Sequence, residues 1–352
     1  MNTATKSNNY CVRLKITKKR KTHIEKSLRL HKKIHAGRLF LLNIFGGIQV
    51  DGILPLWKER GLTSHDCVFQ LRKILKTKKI GHTGTLDPEV EGVLPICIGQ
   101  ATKLSDYLME SGKTYEAEVL IGRSTTTEDA EGDTVEKDES YKQITREQLL
   151  QVLSKLTGEI EQIPPMYSAV KVNGVKLYEY ARKGIEVERP RRKVTIYELT
   201  LLDDRDLFEG KEIAFKIRVK CSKGTYIRTL AVQIGELLGY PSHMSSLVRT
   251  ASGNFSQKDC VTIHEVQKAV EEGTVHELIL PIEKALSSYP FIEVDATNEK
   301  QICNGQILKV HSLLKQSEKI VFSRNGKAIA VYIKHPTKTG LMKPDKMFPN
   351  NF

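Results

Sequence analysis

Asp87 is the only acidic side chain in Gly81-His82-Thr83-Gly84-Thr85-Leu86-Asp87-Pro88, a run rich in glycine and hydroxyl residues. The proline that follows fixes its own φ and restricts the backbone of Asp87. A lone carboxylate on so stiff a turn, with His82 five residues upstream, suits a reactive centre carried on a rigid loop. Asp and Pro are also common turn formers, so a plain surface turn competes with that reading. The run continues through Gly92-Val93-Leu94-Pro95, and its glycine content and polarity place the whole stretch outside the core.

Spacing excludes several chemistries. A phosphate-cradling loop ends in Gly-Lys-Ser/Thr, and Leu86-Asp87-Pro88 stands there instead. His82 and Asp87 are joined by no further group of ligands at metal-binding spacing. A Ser-His-Asp hydrolase needs a Gly-x-Ser-x-Gly elbow, which is absent. An ionised carboxylate remains, acting as nucleophile or base. A nearby cation keeps such a group charged when water is excluded. Arg228, in Lys223-Gly224-Thr225-Tyr226-Ile227-Arg228, offers one where a strand turns into a helix. The alternative there is an ordinary surface arginine.

The elements that position these groups show in the hydrophobic pattern. Val68, Leu71, Ile74 and Leu75 share one face of a helix expected over 63–79, with Thr63 or Ser64 as its cap. Tyr115 to Ile121 reads as a strand. Thr145-Arg146-Glu147-Gln148 is a capping box opening a helix that stops at Gly158. Val194 and Ile196 mark another strand, and Ile213, Phe215, Ile217 and Val219 alternate as in a half-buried one. Ile227 to Leu238 reads as a helix closed by Gly239. Without a regular βαβ rhythm, these predict an α+β fold built on a mixed, largely antiparallel sheet. A second unit starts near Pro290, where Asn325-Gly326 predicts a hairpin within a small β-barrel.

Net charge is +13, but it is unevenly placed. Residues 1–49 carry 12 Lys and Arg against the single acid Glu25, whereas the remainder carries 43 basic and 41 acidic residues. A nucleic-acid partner must therefore be argued from local patches. One lies at Lys171, Lys176, Arg182, Lys183, Arg189, Arg191, Arg192 and Lys193, interleaved with Tyr167, Tyr178 and Tyr180. Phosphate contact with base stacking suits that pattern, and a solvated surface offset by Glu179, Glu186 and Glu188 competes with it. Six scattered cysteines fit a reducing cytosol, and no apolar run is long enough to span a bilayer. Residues 1–49 read as a disordered RNA-binding arm, a transit peptide or translated upstream sequence. Gly46-Gly47 can encode a ribosome-binding sequence and Val50 a GTG start, so a natural start near Val50 is expected for a bacterial source.

Several ordered blocks together resemble the bacterial tRNA pseudouridine-55 synthases, the TruB family. They are Lys79-Ile-Gly-His-Thr-Gly-Thr-Leu-Asp-Pro88, Lys113-Thr-Tyr-Glu-Ala117, Ile163-Pro-Pro-Met-Tyr-Ser-Ala169, Leu177-Tyr-Glu-Tyr-Ala-Arg182 and Ser222-Lys-Gly-Thr-Tyr-Ile-Arg-Thr229. The resemblance implies a catalytic domain over 50–289 and a PUA-like RNA-binding module over 290–352, where Asn304-Gly305-Gln306 fits the pattern. It makes Asp87 the nucleophile toward uridine-55 of the tRNA T-loop, Arg228 its partner and Tyr115 the aromatic against the target base. It places His82 on the RNA, Tyr226 and Leu247 around the uridine, and Lys103 nearby. It implies no cofactor, no metal, no obligate protein partner, a monomer and a cytoplasmic location. Base flipping is the physical requirement, since a stacked uridine cannot be reached. Three departures stand out. Trp57-Lys58-Glu59-Arg60 lacks the Asp and Pro that usually flank the lysine. Thr126 stands where many members carry an aspartate, which counts against a second acidic partner for Arg228. Gln233 replaces a common acidic residue. The rivals are a tRNA-binding folding helper without chemistry and a guide-RNA-dependent relative.

Overall fold

The structure, a computed structural model, describes residues 51–295 and 298–348. The basic extension 1–49 and the expected start at Val50 lie outside them.

Strict alternation makes the central strands: Ile213–Cys221 buries every second residue from Ile213 to Cys221 and leaves Lys216, Arg218 and Lys220 in solvent. The nine-stranded sheet runs Gly52–Lys58, Glu91–Ile98, Ser242–Ser252, Lys113–Ile121, Ile213–Cys221, Arg192–Leu201, Gly158–Gln162, with Ile80–His82 and Phe255–Ser256 paired at its side. Its one parallel pairing joins Val248 and Arg249 to Glu91 and Gly92; the others are antiparallel, as expected for a mixed sheet.

Glu91–Ile98 corrects the sequence reading. It is a central strand buried over nearly its whole length, so the polar loop ends before it. Gly92 serves close approach there: a Cβ would lie 2.3 Å from the Arg249 carbonyl oxygen and 2.6 Å from its nitrogen.

The helices largely keep their expected bounds. Thr63 caps Ser64–Ile74 with Asp66 in a reciprocal box, but the helix stops short of Lys79 because Lys76 turns left-handed at φ 50°. Thr145 and Gln148 cap Arg146–Lys155. Ile227–Leu238 ends at Gly239, whose φ of 83° favours glycine. The last two helices cover the apolar face of the sheet, with Leu149, Leu153, Leu230 and Ile234 against Val119, Phe215 and Ile217.

A five-stranded sheet starts at Phe291, and Asn325-Gly326 forms its hairpin turn with φ of 51° and 73°. One face packs on its own cluster of Ile320, Phe322, Ile329 and Tyr332. The other supplies Val321, Ala328, Val331 and Phe348 to a cluster with Ile53, Val93, Leu104 and Tyr107. Tyr107 also donates to Asp345.

Candidate active site

Asp87 sits on a loop whose backbone is tied down on both sides. Ser64, in the first turn of its helix, accepts from the Leu86 N–H at 2.9 Å. Lys58, fully buried, donates to the Pro88 carbonyl at 2.9 Å as well as to Leu62 and Glu59. Gly61 N–H donates to the same Pro88 oxygen at 3.0 Å. Arg249 holds the Gly84 and Thr85 carbonyls at 3.2 and 3.4 Å. With every neighbouring peptide anchored, the carboxylate projects from a fixed base while its side chain stays 46% exposed.

Arg228 meets it. One guanidinium nitrogen lies 3.2 Å from Asp87 Oδ2 and donates to the Tyr167 carbonyl at 2.9 Å. The other donates to the Thr127 carbonyl at 3.0 Å and lies 3.5 Å from Asp129 Oδ2. Only 7% of the Arg228 side chain is exposed, so the surface-arginine alternative fails. Asp129 also corrects the expectation drawn from Thr126, since a second acidic partner is present three residues later. Its sequence signal was the turn Thr127-Glu128-Asp129-Ala130-Glu131-Gly132, where a Cβ at Gly132 would meet Thr127 at 2.5 Å.

Asp87, Tyr115, Tyr226, Arg228 and Leu247 line one cavity of about 680 Å³, together with Tyr167. That volume lies within the range of small-molecule sites. Burial pushes the Tyr115 phenol above its ordinary range, against the neighbouring Arg249 guanidinium, which draws it down. At neutral pH Tyr115 is therefore a neutral hydroxyl. Burial also lowers the Lys113 ammonium to about 8, with Arg249 adding to the effect, although it donates to the carbonyls of Leu108, Met109 and Ser111. Among the described residues no cluster of three or more His, Cys, Asp or Glu is placed to hold a metal ion.

Gln162 positions Tyr226 through both backbone groups, accepting from its N–H at 2.9 Å and donating to its carbonyl at 3.1 Å. Gln233, which replaces the expected acid, donates to Glu161 O and accepts from Gln162. His82 lies outside the cavity lining; its Nδ1 accepts from Gly84 N–H at 3.4 Å, and burial lowers its pKa. Lys103 is not brought to the cavity. Its ammonium donates to Gln100 Oε1 and to Met347 O at 2.6 Å, tying the second sheet to the 3-10 turn after Glu91–Ile98. In the basic insertion, Tyr178 stacks with Lys176 and Arg182, while Arg189 bonds Pro164 O at 3.0 Å and approaches Glu128 at 3.9 Å.

The chain matches two family models, the TruB family pseudouridylate synthase N-terminal domain over residues 72–227 and the tRNA pseudouridylate synthase B C-terminal domain over 228–287. It is 55% identical over 302 residues to tRNA pseudouridine synthase B of Bacillus cytotoxicus, covering 86% of this chain and 98% of that protein. The chain belongs to the TruB family of pseudouridylate synthases. A second TruB relative, tRNA pseudouridine synthase B of Geobacillus thermodenitrificans, is 53% identical over 301 residues, 85% of this chain and all of that protein. Among solved structures, a chain of the Cbf5-Nop10-Gar1 complex is similar to this TruB member at a TM-score of 0.62 and 27% identity, covering 84% of each. A chain of an H/ACA RNP bound to a substrate RNA containing 2'-deoxyuridine reaches 0.63 at 23% identity, covering 86% of each, and shares the fold.

Proposed function

We propose that this chain converts uridine to pseudouridine in tRNA, at position 55 of the T-loop. One observation carries the reading. Asp87 lies 3.2 Å from the buried Arg228 guanidinium, in a cavity that Tyr115 and Leu247 also line and that suits one flipped nucleotide.

The guanidinium keeps the carboxylate ionised once the uridine displaces water. A carboxylate oxygen attacks C1′ as the N1–C1′ bond breaks, the base turns within the cavity, and C5 attacks C1′ as the oxygen–C1′ bond breaks and frees the carboxylate. C5 then gives up its proton and N1 gains one. No electrons are exchanged, and no co-reactant is consumed. Tyr115 provides a neutral hydroxyl and an aromatic face that replaces lost stacking, while Tyr226 and Leu247 bound the base. The exposed Lys171, Arg182, Lys183, Arg191, Arg192 and Lys193 suit the RNA backbone, with His82 close by.

We read 50–289 as the catalytic domain and 290–352 as a PUA-like RNA-binding module. The chain acts singly in the cytoplasm without metal or cofactor. Incubation of the purified chain with an unmodified tRNA transcript tests this. Pseudouridine at position 55 is expected with the wild type, and none with Asp87→Asn, which still binds. Modification by Asp87→Asn refutes the carboxylate chemistry, and no modification of bare transcript favours the guide-dependent rival.

A further inference from the structure

The buried Arg249 takes no part in the proposed chemistry. Arg249 is 1% exposed, and among the described residues it makes no ion pair. Its donors go to backbone carbonyls instead: Val93 at 2.8 Å, Gly84 at 3.2 Å and Thr85 at 3.4 Å. Gly84 and Thr85 precede Asp87 by three and two residues on the same loop.

Across the sheet, Arg249 is the direct partner of Tyr115, the Lys113–Ile121 strand lying antiparallel to Ser242–Ser252. Its guanidinium is close enough to the Tyr115 phenol to counter part of the effect of burial on it, and lines the same cavity. One residue therefore holds the loop that carries the carboxylate and sits across the sheet from the tyrosine that faces the base. Three carbonyl acceptors in a fan need the fork of N–H groups that arginine supplies. A buried guanidinium without a carboxylate is costly to keep, which speaks against simple packing. The close approach of Gly92 to the Arg249 backbone fixes where that fork starts.

We propose that Arg249 is the positioning residue that sets Asp87 relative to Tyr115: it is the cross-strand partner of Tyr115 and holds the Gly84 and Thr85 carbonyls of the Asp87 loop. It acts through the loop and the strand it pairs with. Its loss misplaces two groups that must act on one base, and a misplacement of about 1 Å costs on the order of 100-fold in rate.

The inference rests on the proposed tRNA isomerisation, and its test separates the two. Wild type, Arg249→Lys and Arg249→Met are compared for single-turnover pseudouridine formation, tRNA Kd and the ¹³Cζ resonance of Tyr115, assigned with Tyr115→Phe. A wild type inactive on tRNA refutes the isomerase reading. With an active wild type, kcat per folded molecule of Arg249→Lys is expected to fall about 100-fold. Its Kd is expected to stay within about threefold of wild type, below the tenfold that corresponds to one lost contact. The Tyr115 resonance is expected to move. Should the methionine variant fail to fold, the lysine variant decides. Wild-type kcat per folded molecule, an unmoved Tyr115 resonance, or matched losses in kcat and Kd would overturn the positioning role.

Discussion

Replacing Arg228 with methionine tests the charge pair that the whole scheme depends on. At 3.2 Å the attraction between Arg228 and Asp87 is about 5 kcal/mol for an effective dielectric near 20. Asp87 is nearly half exposed, so solvent screening leaves roughly 2 kcal/mol of that. Two charge-assisted bonds to the Thr127 and Tyr167 carbonyls are lost as well, each about 1.5 kcal/mol, and part of that loss falls on the loops that shape the cavity. A transition-state loss of about 3 to 4 kcal/mol corresponds to a kcat some 10²- to 10³-fold lower. Affinity should fall by less than about tenfold, because the basic segment 171–193 proposed to meet the RNA backbone is untouched. Tritium release from tRNA labelled at uridine C5 reads the chemistry, since that carbon loses its hydrogen; filter retention reads binding. Arg228→Lys keeps the charge but cannot fork to four partners, so it should recover only part of the rate. Turnover of Arg228→Met within threefold of wild type, or equal losses in kcat and affinity, would refute the pairing.

Tyr115→Phe keeps the ring and removes the hydroxyl, so kcat should drop about 100-fold at unchanged Kd if the phenol assists proton movement; a rate near wild type assigns Tyr115 to stacking alone. Gly92→Ala forces a Cβ into the Arg249 backbone, and urea unfolding should show a loss of about 3 kcal/mol or more. Lys113 is lowered in the folded state from 10.5 to about 8, so between those values the unfolded chain binds more protons and stability rises with pH. Relative to Lys113→Met, wild-type unfolding free energy should climb from pH 8 toward 10.5, and parallel curves would refute the lowered pKa. Lys103→Met removes the bond to Met347 and should lower Tm by a few degrees, as expected for about 1 kcal/mol, while kcat stays near wild type.

The sequence made the capped helices legible because Thr63, Thr145 and Gly239 satisfy helix ends locally, wherever the helix later packs. It also brought out Asp87, Tyr115 and Arg228, through ordered blocks rather than periodicity. Glu91–Ile98 was obscured because a strand buried on both faces loses its alternation, and Gly92 reads as loop until its neighbour is known. Arg249 and Lys58 were illegible for a related reason. Hydropathy places charged side chains outside, and only the loop carbonyls they meet, distant in sequence, explain their burial. Asp129 escaped because its pairing with Arg228 is made by the fold, about a hundred residues away in sequence. Lys103 reads as a basic residue near the site, yet its ammonium bonds the second sheet instead.

The apolar cluster that Phe348 shares with Ile53 and Val93 ties the start of the described chain to its end. Ile53 is among the first core residues described in chain order, and the strand Leu341–Met347 beside Phe348 is the last described strand. Burying one phenylalanine contributes on the order of 2 kcal/mol, a large share of a typical margin of stability. A chain that carries Asp87, Tyr115 and Arg228 but lacks Leu341–Phe348 thus leaves an apolar flank open on the first sheet. Variants truncated before Leu341 should be protease-sensitive where the full chain is resistant.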